Sequence, residues 1–375
     1  MCNPLIYLSN EDRVFKMNFH SNVVSRSFMP AFALRAFLTA LAVALLLSRG
    51  EVVFAQSAPT SAIVEDLRSL PYVQPGQLVD IGGRRINLQC SGSGAPTVVL
   101  MSGLASWSIV WYKTQPEIAK RKRVCSFDRA SYGFSDPAAK PQIVPDVPED
   151  LHAALKAAQV PGPYVLVGHS LGGIEARMFA QRWPDEVAGM VIVDSSPAGE
   201  MLIEAELPGV DDTLSLELLI PRYLECALVV AREKPSSTRF KECMLPLPSD
   251  VPAKLRQIWP RFFTLDRFTT MVSLLSSLAT HRHDGVDRLD LGDKPLVVLS
   301  MDVDVCCSGD PSQNKFWQNY KSLWYSQHEA LARMSSRGVH RIVEGSGHSI
   351  MLDKPQAIID AVDEVLRQLT GETKS

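Results

Sequence analysis

Short runs of β-branched and other apolar residues alternate with helical stretches along most of this chain, from Gln77 onwards. Strands that alternate with helices predict a mostly parallel sheet, because each helix carries the chain back across one face of the sheet. Eight runs fit one sheet: residues 78–80, 85–89, 97–101, 123–127, 164–167, 189–193, 296–301 and 341–344. The sequence therefore predicts an α/β fold, with helices on both faces of a mostly parallel eight-stranded sheet.

The connection between the sixth and seventh predicted strands is far longer than the others, at about 100 residues. A structureless loop of that length is uncommon, so the segment is expected to carry its own elements. Its amphipathic helical stretches lie at residues 213–231, 253–263 and 267–280, and six prolines are expected to break them: Pro221, Pro235, Pro246, Pro248, Pro252 and Pro260. We predict a helical cap at residues 198–292, inserted after strand six between core segments 76–197 and 293–370.

The first 55 residues have the pattern of a cleaved signal peptide. The apolar run 36–47 follows two arginines, and small or apolar residues lead up to Ala55, after which signal peptidase would cut. The run is too short to span a bilayer, which takes about 20 residues. We predict a secreted or periplasmic protein with a linker at 56–75 and no stable membrane span after cleavage. An uncleaved anchor is the alternative, and translation from Met29 or Met17 is a further hypothesis.

Cysteine usage is compatible with export. Loss of the leader would remove Cys2 and leave an even number of cysteines: Cys90, Cys125, Cys226, Cys243, Cys306 and Cys307. Disulfides between Cys90 and Cys125 and between Cys226 and Cys243 are plausible, whereas the adjacent Cys306 and Cys307 are hard to bridge to each other. No CxxC or Cys/His ligand spacing occurs, so a zinc site is not expected.

The charge balance favours a small-molecule substrate. The formal net charge is -3, and neither a basic face nor a long run of like charges is visible. Binding to nucleic acid or to an anionic membrane surface usually needs such a concentration of Lys and Arg. No nucleic-acid partner is therefore expected.

The strongest local signal is the pentapeptide GHSLG at residues 168–172, directly after the apolar run 164–167 and directly before a helical stretch. A sharp turn from a strand into a helix forces the residue at its apex into strained backbone angles and requires small residues two positions away on either side. Gly168 and Gly172 meet that need. The turn would raise Ser170 above the edge of the sheet, which indicates a nucleophile.

A serine hydroxyl needs a general base, and the candidate is His348. It ends a Gly-Ser-Gly-His sequence between the last predicted strand and a final helix at 355–369. His169, inside the pentapeptide, is expected to turn away from Ser170. The remaining histidines lie in the leader, the cap, or helical and pre-strand contexts where core or solvated roles are commoner: His20, His152, His281, His283, His328 and His340.

Three motifs in this order resemble those of the α/β-hydrolase superfamily, in the branch with a cap between the sixth and seventh strands. Beyond GHSLGG, the segment FDRASYGFS at 127–135 resembles the one that follows the family's fourth strand. Gly347-His348, followed by Asp353 and Pro355, resembles the family's ending around its catalytic histidine. The resemblance spans about residues 76–369 and implies a serine hydrolase.

Two departures from the family pattern matter. Ser102-Gly103 stands where many members carry His-Gly, which removes a side chain but keeps the backbone donors. The loop at Met301 lacks the usual glycine, which leaves the acid less certain. Because relatives that open epoxides or displace halide use aspartate as the nucleophile, Ser170 disfavours those two chemistries.

The acid that orients the base has two main candidates at the carboxyl ends of strands. Asp304 follows the strand at 296–301 and gives the usual chain order of Ser, Asp, His. Asp194 ends the preceding strand and would reach the same edge. We favour Asp304, because the loop after the later strand is the commoner site, with Asp302 as an outside candidate.

Two backbone N–H groups, those of Leu171 and Leu104, are expected to form an oxyanion hole. Leu171 begins the helix after the pentapeptide, whose positive dipole end would face a developing oxyanion. Gly103 permits the turn that would aim the N–H of Leu104. Trp107 and Trp111 could wall an apolar pocket or could equally form one buried helix face.

The expected reaction is hydrolysis of a carboxylic ester through an acyl-enzyme on Ser170, without a metal or organic cofactor. The expected substrate is a small apolar ester, because the cap helices are apolar, although most of their residues serve the cap's own core. Acyl transfer, amide or peptide cleavage, and cofactor-free lyase chemistry stay open on the same residues. Ligand binding without catalysis is the non-enzymatic alternative.

Overall fold

The computed structural model describes residues 71–195, 216–245, 247, 251–280, 286–307 and 314–371. The predicted signal peptide at 1–55 and most of the predicted linker lie outside the described residues, as does the start of the predicted cap. Within the described residues, no helix is both long and apolar enough to cross a membrane.

The described residues form an eight-stranded sheet: β1 Gln77–Asp80, β2 Arg85–Ser91, β3 Thr97–Met101, β4 Val124–Phe127, β5 Tyr164–His169, β6 Val187–Val193, β7 Leu296–Met301 and β8 Gly338–Val343. The strand order is β1-β2-β4-β3-β5-β6-β7-β8. β2 pairs antiparallel with β1 and β4, whereas every pair from β4 to β8 is parallel. The predicted fold class is confirmed, and each of the eight predicted runs overlaps one of these strands.

The helices, in chain order, are α1 Gln115–Ala119, α2 Asp146–Ala157, α3 Leu171–Arg182, α4 Leu216–Arg232, α5 Thr238–Cys243, α6 Ala253–Ile258, α7 Leu265–Thr280, α8 Val303–Cys307, α9 Asn314–Ala332, α10 Ile350–Asp353 and α11 Pro355–Thr370. Helices α4 to α7 lie between β6 and β7, where the sequence predicts a helical cap. A 3-10 turn, Trp259–Phe262, follows α6 and contains Pro260.

The prediction that Pro221 breaks a helix is wrong, since Pro221 lies inside α4. An interior proline costs about 3 kcal/mol because it removes one backbone hydrogen bond and crowds the preceding turn. Leu219, Tyr223 and Cys226, on the same helix, are buried in the main apolar core. Tertiary packing of this face therefore outweighs the local penalty of the proline.

Two apolar layers cover the sheet, one on each face. Neighbouring strand residues point to opposite faces, so Val98 and Leu100 belong to one layer and Val99 to the other. Helix α11 packs on the first layer, while α2, α3 and the cap helices pack on the second. Because both faces are covered, the central strands are continuous apolar runs, and their carboxyl ends converge on one edge of the sheet.

The structure contains both disulfides that the sequence made plausible. Cys90–Cys125 joins the paired strands β2 and β4, and Cys226–Cys243 joins α4 to α5 in the cap. Cys306 and Cys307 end helix α8.

Candidate active site

Ser170 lies at the apex of the turn between β5 and α3, with φ 54° and ψ -125°. This positive φ is unusual for a residue with a side chain. A Cβ at Gly168 would come 2.4 Å from the Gly172 carbonyl oxygen, and one at Gly172 would come 2.3 Å from that of Met101. Both positions therefore require glycine, as the sequence pattern predicts for a strained turn that presents a serine.

His348 follows β8 on a loop that ends at α10, and it lines the same pocket as Ser170. Its ring centroid is 4.6 Å from that of His169, the residue next to Ser170. Nδ1 of His348 lies 2.6 Å from Oδ2 of Asp194. Because a carboxylate can only accept, Nδ1 carries the proton of this bond, and in a neutral ring Nε2 is left with a free lone pair.

Asp194 comes directly after β6 and is fully buried. Its second oxygen, Oδ1, accepts hydrogen bonds from the backbone N–H of Met301 at 2.8 Å and from the indole Nε1–H of Trp324 at 2.9 Å. Burial by itself would raise the pKa of Asp194, but the hydrogen bond and charge of His348, the charge of His328 and the Met301 N–H lower it below its usual value. The carboxylate therefore stays ionised.

The structure reverses the order in which we ranked the acid candidates. Asp304 lies in α8 and is exposed, and it pairs with Lys321, whose pKa it raises. Oδ2 of Asp302 accepts from the Gly345 N–H at 3.0 Å. Because the chain turns into α8 directly after β7, neither carboxylate bonds to His348, and Asp194 occupies that position instead.

The loop after β3 packs closely against the serine turn. A Cβ at Gly103 would come 3.0 Å from Nδ1 of His169 and 3.2 Å from Cβ of Ser170. Leu104 follows in the same loop, and Leu171 is the first residue of α3, whose first N–H groups have no acceptor within the helix. Leu104 lines the pocket beside Ser170, whereas Leu171 is buried and does not line it.

Sequence reasoning missed the buried ion pair that holds this loop. The Arg129 guanidinium donates to both carboxylate oxygens of Glu175 on α3, at 2.8 and 2.6 Å. It also donates to the backbone carbonyls of Ser102 and Gly103. Arg129 lies in segment 127–135, and the resemblance of that segment to the family was the sequence signal that could have drawn attention to Arg129. The pair fixes the loop to the helix that begins at the serine.

His169 does not turn away from the site as expected. Its ring lines the pocket, and its Nε2 lies 3.0 Å from the backbone carbonyl of His348. A carbonyl only accepts, so Nε2 is the donor. Burial lowers the pKa of His169 to about 3, which keeps the ring neutral. His169 thus ties the loop that carries His348 to the serine turn.

Trp107 and Trp111 are both buried, and neither lines the pocket. Trp107 stacks at 4.9 Å on Trp259, which does line it. Neither expectation for this pair is met, because neither ring lines the pocket and the two rings belong to different apolar layers rather than to one buried helix face.

The pocket above Ser170 lies between the core and the cap. The cap side is lined by Leu245, Leu247, Val251, Leu255 and Trp259, and the core side by Leu104, Ile109, Val110, Met351 and Leu352. None of the described lining residues is Asp, Glu, Lys or Arg. Among the described residues, no group of three or more His, Cys, Asp or Glu is arranged to hold a metal ion.

Comparisons with known proteins identify the fold. A family model described as alpha/beta hydrolase fold matches residues 96–214. The uncharacterized protein YbdG of Bacillus subtilis is 31% identical over 138 residues, which are 36% of this chain and 42% of that protein. The 2-hydroxymuconate semialdehyde hydrolase of a Pseudomonas species is 32% identical over 124 residues, which are 32% of this chain and 44% of that protein.

Among solved structures, an esterase from Thermogutta terrifontis matches with a TM-score of 0.55 and 19% sequence identity, over 79% of this chain and 99% of that one. At this identity the likeness concerns the fold. The chain spans less than half the length of each of the two curated relatives above.

Proposed function

We propose that the chain is a member of the α/β-hydrolase superfamily and that it is a serine hydrolase that cleaves carboxylic esters through an acyl-enzyme on Ser170. The observation that carries the proposal is the 2.6 Å contact between Nδ1 of His348 and Oδ2 of Asp194, on the pocket that Ser170 also lines.

In the proposed reaction, Oγ of Ser170 attacks the ester carbonyl carbon while Nε2 of His348 takes its proton. The buried charge of Asp194 stabilises the imidazolium that forms. The N–H groups of Leu104 and Leu171 stabilise the oxyanion, and His348 then gives the proton to the departing alkoxide. In the second half, His348 takes a proton from water, whose oxygen attacks the acyl carbon. The bond from that carbon to Oγ of Ser170 then breaks, His348 returns the proton to Oγ, and the acid is released.

The substrate in this proposal is a small ester with an apolar acyl or alcohol part. Side chains of leucine, valine and tryptophan from the cap face the pocket together with apolar residues of the core. Burial of a hydrocarbon group against such a lining is favourable, whereas the lining offers few hydrogen-bond partners to a polar chain.

The test is turnover of p-nitrophenyl esters of graded acyl length by the full chain and three variants. Ser170→Ala is expected to abolish turnover, and His348→Ala to lower kcat by about 10³-fold or more. Asp304→Asn is the matched control, because that carboxylate is exposed and paired with Lys321. Full activity in both Ser170→Ala and His348→Ala would disprove the proposal. A fluorophosphonate should label the wild-type protein and not Ser170→Ala.

We also propose that residues 1–55 are a signal peptide, so that the exported protein begins at Gln56. N-terminal sequencing of the protein secreted or released to the periplasm tests this. A mature chain that still begins at Met1, Met17 or Met29 would contradict it.

A further inference from the structure

Among the described residues that line the candidate site, none carries a lysine or arginine charge that could hold an anionic substrate. The lining described above has no Lys or Arg, and its titratable side chains are Tyr112, His169 and His348. Burial keeps His169 neutral near pH 7, and its Nε2 donates to a backbone carbonyl. A substrate carboxylate in this pocket would lose its hydration without gaining a charged partner.

Two buried arginines lie behind the loop that follows β3, but the guanidinium groups of both already bind other groups of the protein. Arg129 is bound to Glu175. Arg267, on α7, donates to the carbonyls of Ala105 at 2.6 Å and Phe262 at 3.2 Å, and its guanidinium stacks 4.6 Å from the ring of Trp107. Neither side chain lines the pocket, so neither is available to a substrate anion.

The fixed charge nearest to the base is negative. Asp194, fully buried, is bonded to His348. Anionic ligands therefore meet repulsion as well as the cost of desolvation.

We infer that the site selects uncharged substrates and rejects esters that carry a carboxylate on the acyl chain. This inference rests on the proposed hydrolysis at Ser170. It also applies to the acid that the hydrolysis produces. Hydrolysis converts a neutral ester into a carboxylate inside a pocket whose described lining offers no Lys or Arg to retain it. The acid product is expected to leave readily and to inhibit weakly.

The test compares three p-nitrophenyl esters that share one leaving group: the hexanoate, the adipate monoester with a free terminal carboxylate, and the adipate methyl ester. The hexanoate and the methyl adipate are expected to react with similar kcat/KM. The free adipate is expected to react at least about 100-fold more slowly, because its charge is buried without a partner. A kcat/KM for the free adipate within about threefold of that for its methyl ester would overturn the inference.

A designed cation provides a second readout. Leu247→Arg places a guanidinium on the pocket wall and is expected to raise the ratio of adipate to methyl adipate turnover by about tenfold or more. Leu228→Arg is the control, since Leu228 lies on α4, is 53% exposed and does not line the pocket. An equal change in both variants would contradict a pocket effect.

Binding separates this inference from the reaction itself. Titration of the Ser170→Ala protein with hexanamide and with hexanoate needs no turnover. Hexanoate is expected to bind at least about 30-fold more weakly than hexanamide. Equal binding of hexanoate and hexanamide would overturn the proposed charge selection, even if the wild-type chain cleaves esters. Weaker binding of hexanoate, together with no ester cleavage by the wild-type chain, would overturn only the proposed reaction.

Discussion

Trp324→Phe should weaken catalysis although the ring of Trp324 is not part of the pocket. Its indole N–H donates to Oδ1 of Asp194 at 2.9 Å, and the carboxylate is fully buried, so water cannot readily replace the lost donor. A hydrogen bond to a charged group contributes about 1.5–3 kcal/mol. Because the Met301 N–H still holds the same oxygen at 2.8 Å, we expect the lower end of that range.

A loss of about 1.5 kcal/mol corresponds to about tenfold in kcat/KM, if the freed carboxylate no longer orients His348. The pH profile gives a more specific signature. A carboxylate with one donor fewer is more basic, so the pKa of Asp194 rises from its lowered value. The acidic limb of kcat/KM should therefore move upward, by at most about one pH unit.

The assay is the pH dependence of kcat/KM for p-nitrophenyl hexanoate, with Trp111→Phe as the matched control. Trp111 is as deeply buried, but its indole N–H has no hydrogen-bond partner among the described residues. Both variants should lose about 1–3 kcal/mol of unfolding free energy, while only Trp324→Phe moves the acidic limb. A partly unfolded sample would lower the plateau of kcat/KM without moving the acidic limb of its pH profile. An unchanged limb and plateau in Trp324→Phe would refute the reasoning.

Three further predictions concern the acid, the ion pair and the loop. Asp194→Asn should lower kcat by about 10³- to 10⁴-fold, because the amide favours the wrong tautomer of His348, while Asp304→Asn should change it less than about twofold; steady-state kinetics of both decide which carboxylate is used. Glu175→Gln should lower the free energy of unfolding by about 3–5 kcal/mol, measured by urea denaturation, because Arg129 is left charged and buried. Gly103→Ala should lower kcat by about tenfold or more, since its Cβ would come 3.2 Å from that of Ser170 and displace the loop; wild-type kinetics in a normally folded protein would contradict this.

The fold and the serine turn were predictable because local sequence determines them. Central strands such as β5 are continuous apolar runs, and Gly168 and Gly172 are each required by backbone atoms less than 3 Å from a would-be Cβ. The helix through Pro221 was not predictable, since it depends on a face buried against distant elements rather than on propensity.

The acid could not be ranked from sequence because both candidates satisfy the same local rule. Asp194 and Asp304 each follow a buried strand, and the difference between them arises beyond those strands. The chain after β7 enters α8 at once, which leaves Asp304 on an exposed helix beside Lys321. Asp194 instead receives donors from Met301 and from Trp324, which is 130 residues away in sequence. A buried carboxylate without such donors would be too costly to keep ionised, so its partners rather than its position favour Asp194 as the proposed acid. The same holds for Arg129 and Glu175, whose pairing spans 46 residues.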